Sequence, residues 1–226
     1  MSAPAFSSST LAVPAEFEAC LAAQRAAYLK APEPSDAERI ADLKALGRLL
    51  KDNQATIVAV INADYGNRSE VETLFGEALS VHDVIRDAAN RLKGWMKPRR
   101  RSVDLLTYPG ARNRVIPQPL GVVGVIVPWN FPIMLSFSPL VSIFAAGNRA
   151  MVKMSENSQH LAELLIEIAP KYFPQDKLAL FADGDGRGPA FSSLAFDHLI
   201  FTGSGRTGRA VMANAARSLL HAFPFA

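Results

Sequence analysis

From residue 121 onward the apolar positions stop alternating with polar ones and run together. Gly121-Val122-Val123-Gly124-Val125-Ile126-Val127 has no polar position, so a strand here has no solvent side. Such a strand is buried on both faces, as in a parallel sheet covered by helices. The texture recurs downstream. It predicts strands over 122–127, 150–154, 178–182 and 198–202, helices over 133–146, 159–171 and 207–220, and a short crossover over 189–194. Strands separated by crossovers of roughly ten or more residues form a parallel sheet of right-handed βαβ units.

Upstream the spacing is helical. Phe17, Leu21 and Tyr28 share a stripe with Cys20, and Pro32-Glu33-Pro34 ends it. Ser35-Asp36-Ala37-Glu38 is a capping box, followed by a stripe through Ile40, Leu43, Leu46, Leu50, Ile57 and Ile61. Gly66-Asn67 marks a break. Ser69-Glu70-Val71-Glu72 offers a second capping box, and Val71, Leu74, Ala78, Ile85, Ala88 and Leu92 carry the stripe on to Trp95. Two or three long helices are expected over 15–96. Val103, Leu105, Tyr108, Val115 and Ile116 around Pro109-Gly110 read as a β-hairpin outside the main sheet. Residues 1–14, rich in Ser, Ala and Pro, read as a tail.

Composition adds limits. Of 226 residues, 49% are hydrophobic and 20% charged, a globular balance. The net charge of +3 does not by itself point to nucleic acid. Lys97-Pro98-Arg99-Arg100-Arg101 is the one basic run. Without aromatic interleaving it reads as the solvated end of a helix, whose last carbonyls favour cations. A single cysteine, Cys20, excludes an internal disulfide and fits a reducing, cytoplasmic compartment. The histidines at 82, 160, 198 and 221 make no metal-ligand pattern, so no metal is expected. The apolar window 131–147 is too short and too interrupted for a membrane span, and the first residues do not read as a signal peptide.

Candidate chemistry gathers at the carboxyl ends of the strands, where open α/β sheets bind ligands. Trp129-Asn130, Lys153-Met154-Ser155-Glu156, Asp183-Gly184 and Gly203-Ser204-Gly205 all fall there. Pro128 and Pro132 stiffen the turn that carries Asn130. Gly203-Ser204-Gly205-Arg206-Thr207-Gly208 satisfies the dinucleotide pattern between a strand and a helix. The acidic residue expected one strand later is missing, and Arg209-Ala210 stands where an ATPase P-loop needs Lys and Ser/Thr. Lys153 and Glu156, three apart, could serve a ribose, whose hydroxyls both donate and accept; an exposed ion pair of little worth is the equal alternative.

Read in order, Pro119-Leu120-Gly121-Val122-Val123-Gly124, Pro128-Trp129-Asn130-Phe131-Pro132, Ala145-Ala146-Gly147-Asn148, Lys153-x-Ser155-Glu156 and Phe201-Thr202-Gly203-Ser204 closely resemble the NAD(P)-dependent aldehyde dehydrogenases. Met154 departs from the family's usual Lys-Pro-Ser-Glu. Gly66-Asn67-Arg68-Ser69 and Phe196-Asp197-His198 look most like the coniferyl aldehyde dehydrogenases among them.

The resemblance implies an α/β fold: a truncated Rossmann-like parallel sheet over 120–226, preceded by N-terminal helices over 15–102 that pack on it and by a hairpin of an oligomerisation arm over 103–119. By resemblance, Asn130 donates its amide to the oxyanion of a thiohemiacetal. Val127, Pro128, Trp129, Ser155, Gly184, Gly203, Ser204 and Gly208 meet the cofactor, and Lys153 and Glu156 hold its adenosine ribose. The cofactor is NAD or NADP, with NAD favoured because Glu156 would repel a 2′-phosphate. The partners implied are a small-molecule aldehyde and, in the family, other copies of the chain, with no nucleic acid and no membrane. The family's nucleophilic cysteine and general-base glutamate lie downstream of the Gly-Ser loop, and Cys20 cannot stand in for the former. The sequence is therefore read as a truncated or frameshifted product, without the catalytic domain and inactive alone. Its last residues, LLHAFPFA, do not resemble the family's continuation into a further strand. A non-catalytic nucleotide-binding or interaction module is the alternative.

Overall fold

The structure is a computed structural model that describes residues 13–184 and 187–218, and the backbone of 221–225. Residues 1–12 of the expected tail and the expected end of the last helix at 219–220 lie outside the described residues.

A parallel sheet of five strands forms the centre: β3 (Val122–Ile126), β4 (Arg149–Lys153), β5 (Leu178–Phe181), β6 (His198–Thr202) and β7 (His221–Phe225), in the spatial order β5-β4-β3-β6-β7. All five residues of β3 are buried. The reason is visible in the pleat. Val123 and Val125 point into a core with helices α2 (Asp36–Asp52), α5 (Ser80–Trp95), α6 (Met134–Ala145) and α7 (Gln159–Ile168). Val122 and Ile126 point into a second core, with Phe17 and Leu21 of α1 (Ala15–Lys30) and with Phe191 and Val211 of α8 (Arg187–Ser192) and α9 (Gly205–Ala216). Successive side chains face opposite layers, so no position on β3 can be polar. Gly124 has no side chain because one would strike Phe196: a Cβ there would stand 2.6 Å from its ring.

The helical layer departs from its predicted stripes in three places. Asn53 ends α2 and starts α3 (Gln54–Tyr65), its side-chain amide donating to Leu49 O at 2.8 Å, so the expected single stripe is two helices. The Ser35–Glu38 capping box is present, but Ser69 makes no side-chain cap; Glu72 instead approaches Arg68 at 3.6 Å. Beyond α4 (Glu70–Thr73), residues Leu74–Leu79 form a turn of π-helix. The wider turn rotates the stripe. Val71, Phe75 and Leu79 are exposed, and Thr73 and Glu77 are buried in their place.

The basic run is also not a helix end. The helix stops at Trp95, and Arg99–Arg101 is an exposed strand, β1, paired antiparallel with β2 (Asn113–Val115). Pro98 cannot continue a helix, and an isolated two-stranded ribbon tolerates charge because both its faces are wet. The hairpin is therefore formed by 99–101 and 113–115: its second strand lies within the expected 103–119, and its first lies just before it. The last helix spans Gly205–Ala216, and the residues after it do form a strand: β7 lies parallel to β6, with Ile200 opposite Phe223. The expectation that the chain's end would not continue the sheet is corrected, and the edge of β6 is covered.

Candidate functional site

The chain leaves β3 toward β4 and β5 on one side of the sheet, and β6 and β7 lie on the other. The strand order thus reverses beside β3, which opens a crevice at the carboxyl ends. A cavity of about 550 Å³ occupies it. Its wall takes residues from the ends of four strands: Ile126 to Trp129, Lys153 with Ser155 and Glu156, Asp183 with Gly184, and Phe201 to Ser204. Pro189 and Ser192 of α8 and Ala210, Val211 and Asn214 of α9 close the far side. The two helices are tied there, Asn214 Nδ2 donating to Ser192 Oγ at 2.9 Å.

The Gly-Ser loop is built for close approach. Gly203 has φ +157°, and a Cβ on it would lie 2.6 Å from the Phe201 ring. Ser204 caps α9, its Oγ accepting from the Thr207 amide. The amides of Gly205 and Arg206 lie in the first turn, where no helical carbonyl precedes them, so they face the positive end of the helix dipole. Gly208 is buried within that first turn, its amide donating to Ser204 O at 2.9 Å, and it is not on the cavity wall.

Lys153 is 4% exposed at the end of β4. It donates to Asp183 of the neighbouring strand end rather than to Glu156. The sequence places Asp183-Gly184 at a strand end but gives Asp183 no role; the pairing with Lys153 is what the structure adds. Glu156 stays on the wall, its carboxylate 3.4 Å from Ser155 Oγ.

Asn130 is exposed on the turn after Trp129, just off the cavity wall, and its side-chain amide has no hydrogen-bond partner among the described residues. Its backbone is gripped from the helical layer. Arg68 Nη1 donates to Asn130 O at 2.8 Å, and the Tyr65 hydroxyl donates to Trp129 O and contacts Ser158 Oγ. Glu77, delivered by the π-turn, accepts from the amides of Ile133 and Met134 at 2.7 and 3.1 Å. Arg68 Nη2 lies 2.8 Å from the other Glu77 oxygen. Burial nonetheless pushes the Glu77 carboxyl above the usual range, outweighing these amides and the guanidinium.

Cys20 stands apart from all of this. It lines a separate cavity of about 370 Å³ between α1 and β5. Burial pushes its thiol up to about 11.

The profile of the aldehyde dehydrogenase family matches residues 5–223. The chain belongs to the aldehyde dehydrogenase family. Within that family it is 47% identical over 204 residues to a probable coniferyl aldehyde dehydrogenase of Pseudomonas aeruginosa, covering 90% of this chain and 43% of that protein. It is 41% identical over 182 residues to a coniferyl aldehyde dehydrogenase of Pseudomonas sp. strain HR199, covering 80% of this chain and 37% of that one. The chain thus spans less than half the length of the curated relatives it matches. Among solved structures, a substrate-bound AldH of Staphylococcus aureus superposes with a TM-score of 0.86 at 25% identity, over 92% of this chain and 45% of that one. An NAD-dependent benzaldehyde dehydrogenase of Corynebacterium glutamicum gives 0.80 at 26%, over 94% and 46%. Family membership makes the chain's ancestry that of NAD(P)-using oxidoreductases acting on aldehydes. No helix among the described residues is long and apolar enough to cross a membrane.

Proposed function

We propose that this chain is the dinucleotide-holding part of an aldehyde dehydrogenase that oxidises an aromatic aldehyde, of the coniferyl aldehyde kind, to its carboxylic acid in the cytoplasm. The observation that supports it is the cavity at the sheet's switch point, whose wall fits a dinucleotide. The free amides at the start of α9 and the close-packed Gly203 suit a pyrophosphate. The apolar wall of Pro189, Ala210 and Val211 suits an adenine, and Glu156 with Lys153 suits a ribose diol. When bound, the dinucleotide supplies a hydride acceptor.

The chain's own residues bind and orient. Ser204 and the first turn of α9 hold the phosphates, and Glu156 accepts from the ribose. Asn130 offers its amide to a developing oxyanion at a fixed position, because Arg68 and Tyr65 hold the backbone on either side of it. NAD is the preferred cofactor, since Glu156 would face any 2′-phosphate. Other copies of the chain are the family-type partner, through the β1–β2 arm.

These 226 residues contain one cysteine, and Cys20 is off the cavity with a thiol held protonated. This favours the reading that the polypeptide binds nucleotide without oxidising aldehyde by itself. Calorimetric titration with NAD, alongside an aldehyde-oxidation assay of the chain and of Cys20→Ala, tests both halves. Heat of NAD binding without turnover is expected. No binding would overturn the cofactor reading, and turnover that survives Cys20→Ala would show a nucleophile elsewhere.

A further inference from the structure

Asp183 is the carboxylate on the cavity wall that the cofactor contacts above leave unused. Its placement is over-determined. One carboxylate oxygen accepts from Lys153, the other from the Gly184 amide at 3.0 Å, and its carbonyl accepts from Gln159 Nε2 at 2.7 Å. The Lys153 and Asp183 side chains are only 5% and 13% exposed. Among the described residues Lys153 is the only lysine or arginine on the wall. Arg187 is turned away, paired with Glu16 and lying 4.8 Å over the Phe17 ring. Arg206 and Arg209 are on α9 but off the wall. The wall therefore carries one positive group, already paired, and a second carboxylate, Glu156, with no cation to offset it.

We propose that Asp183 is a specificity-determining residue: by engaging Lys153 it neutralises the one cation among the described residues of the wall that could receive a 2′-phosphate, while leaving that ammonium further hydrogens for a neutral ribose hydroxyl, and so restricts the cavity to the unphosphorylated dinucleotide. The inference rests on the reading that the cavity takes a nicotinamide dinucleotide. A phosphate monoester carries about −1.5 to −2 charge near neutral pH. Placed by Glu156, it needs a free cation within reach. A neutral ribose hydroxyl does not, and can donate to Glu156. Discrimination here works by leaving the wrong ligand's charge unpaired.

The test is calorimetric titration of the 226-residue chain with NAD and with NADP. The unaltered chain is expected to bind NAD more tightly. Asp183→Asn keeps the side chain's shape and an acceptor for Lys153 but removes the charge. It should shift the affinity ratio toward NADP by about tenfold, the scale of one charge interaction at a partly buried site. Asp183→Glu, which keeps the charge, should leave the ratio near that of the unaltered chain. An unchanged ratio in Asp183→Asn, with NAD still bound, overturns the role of Asp183 and leaves the cofactor reading standing. Failure of the unaltered chain to bind either dinucleotide overturns the cofactor reading and this inference with it. Should Asp183→Asn lose its fold by circular dichroism, the unaltered chain decides at low and high salt. Exclusion by charge predicts an NADP penalty that narrows as salt rises, and a penalty that stays constant or widens overturns it.

Discussion

Arg68 and Glu77 show how much a few side chains decide. The guanidinium is nearly buried, at 7% side-chain exposure, and the carboxylate fully so. Arg68 also lies over the Phe131 ring at 5.2 Å. Removing one partner leaves an uncompensated buried charge, so Arg68→Met is expected to cost about 3–5 kcal/mol in chemical denaturation; a loss below about 1 kcal/mol would show that the pair contributes little. The pH dependence follows from burial raising the Glu77 carboxyl. A carboxyl raised in the folded state favours folding most fully below its unfolded pKa, and that contribution is lost as pH rises through the folded pKa. Glu77→Gln should therefore remove part of the decline in stability on going from mildly acid to neutral pH, as read by denaturation at several pH values. Cys20 makes a second prediction at this scale. With its thiol at about 11, only about one molecule in ten thousand carries the thiolate at neutral pH. Alkylation by iodoacetamide, followed by mass spectrometry, should be slow at neutral pH and accelerate as pH rises toward that value; rapid neutral labelling would contradict the buried setting.

Elements depend on contacts that a stripe of apolar residues does not announce. Strand β3 fits between its neighbours only because Gly124 leaves room for Phe196 and Leu199, whose atoms would lie 2.6 and 2.8 Å from an added Cβ. Gly124→Ala should therefore destabilise by about 1–3 kcal/mol through overpacking, measured as a shifted denaturation midpoint. No change would mean that β6 can move away. The π-turn at Leu74–Leu79 is the other case. Leu74 and Ala78 still face the core beside Leu50, Ile57 and Ile133, as the sequence spacing suggests. The wider turn buries Glu77 as well, where it meets the first amides of α6. Helix spacing was legible; its local shift was not, because it is fixed by a partner more than fifty residues away.

For the whole molecule, the sheet gathers its binding loops at one rim and leaves the arm outside. Leu106 is 95% exposed beside the ribbon, with Leu105, Tyr108 and Ile116 exposed on the same segment. Exposed apolar residues gathered on one segment are where a contact surface is expected. The chain is expected to self-associate on size exclusion, and Leu106→Asp should shift it toward the monomer. A sharp monomeric peak from the unaltered chain would count against the arm as an interface. The sheet edge does not carry this expectation, since β7 covers β6.

The sequence by itself determined the apolar strands, their parallel direction, the turns at their carboxyl ends and the family. Those follow from local rules: apolar runs with no polar face, prolines that stop a strand, glycines before a helix, and motifs that survive as short strings. Only the tertiary structure decided which charges meet. Lys153 is three residues from Glu156 yet pairs with Asp183, because adjacent parallel strands bring their ends side by side. Spacing along the chain ranks neighbours by sequence, and the pleated sheet ranks them by register.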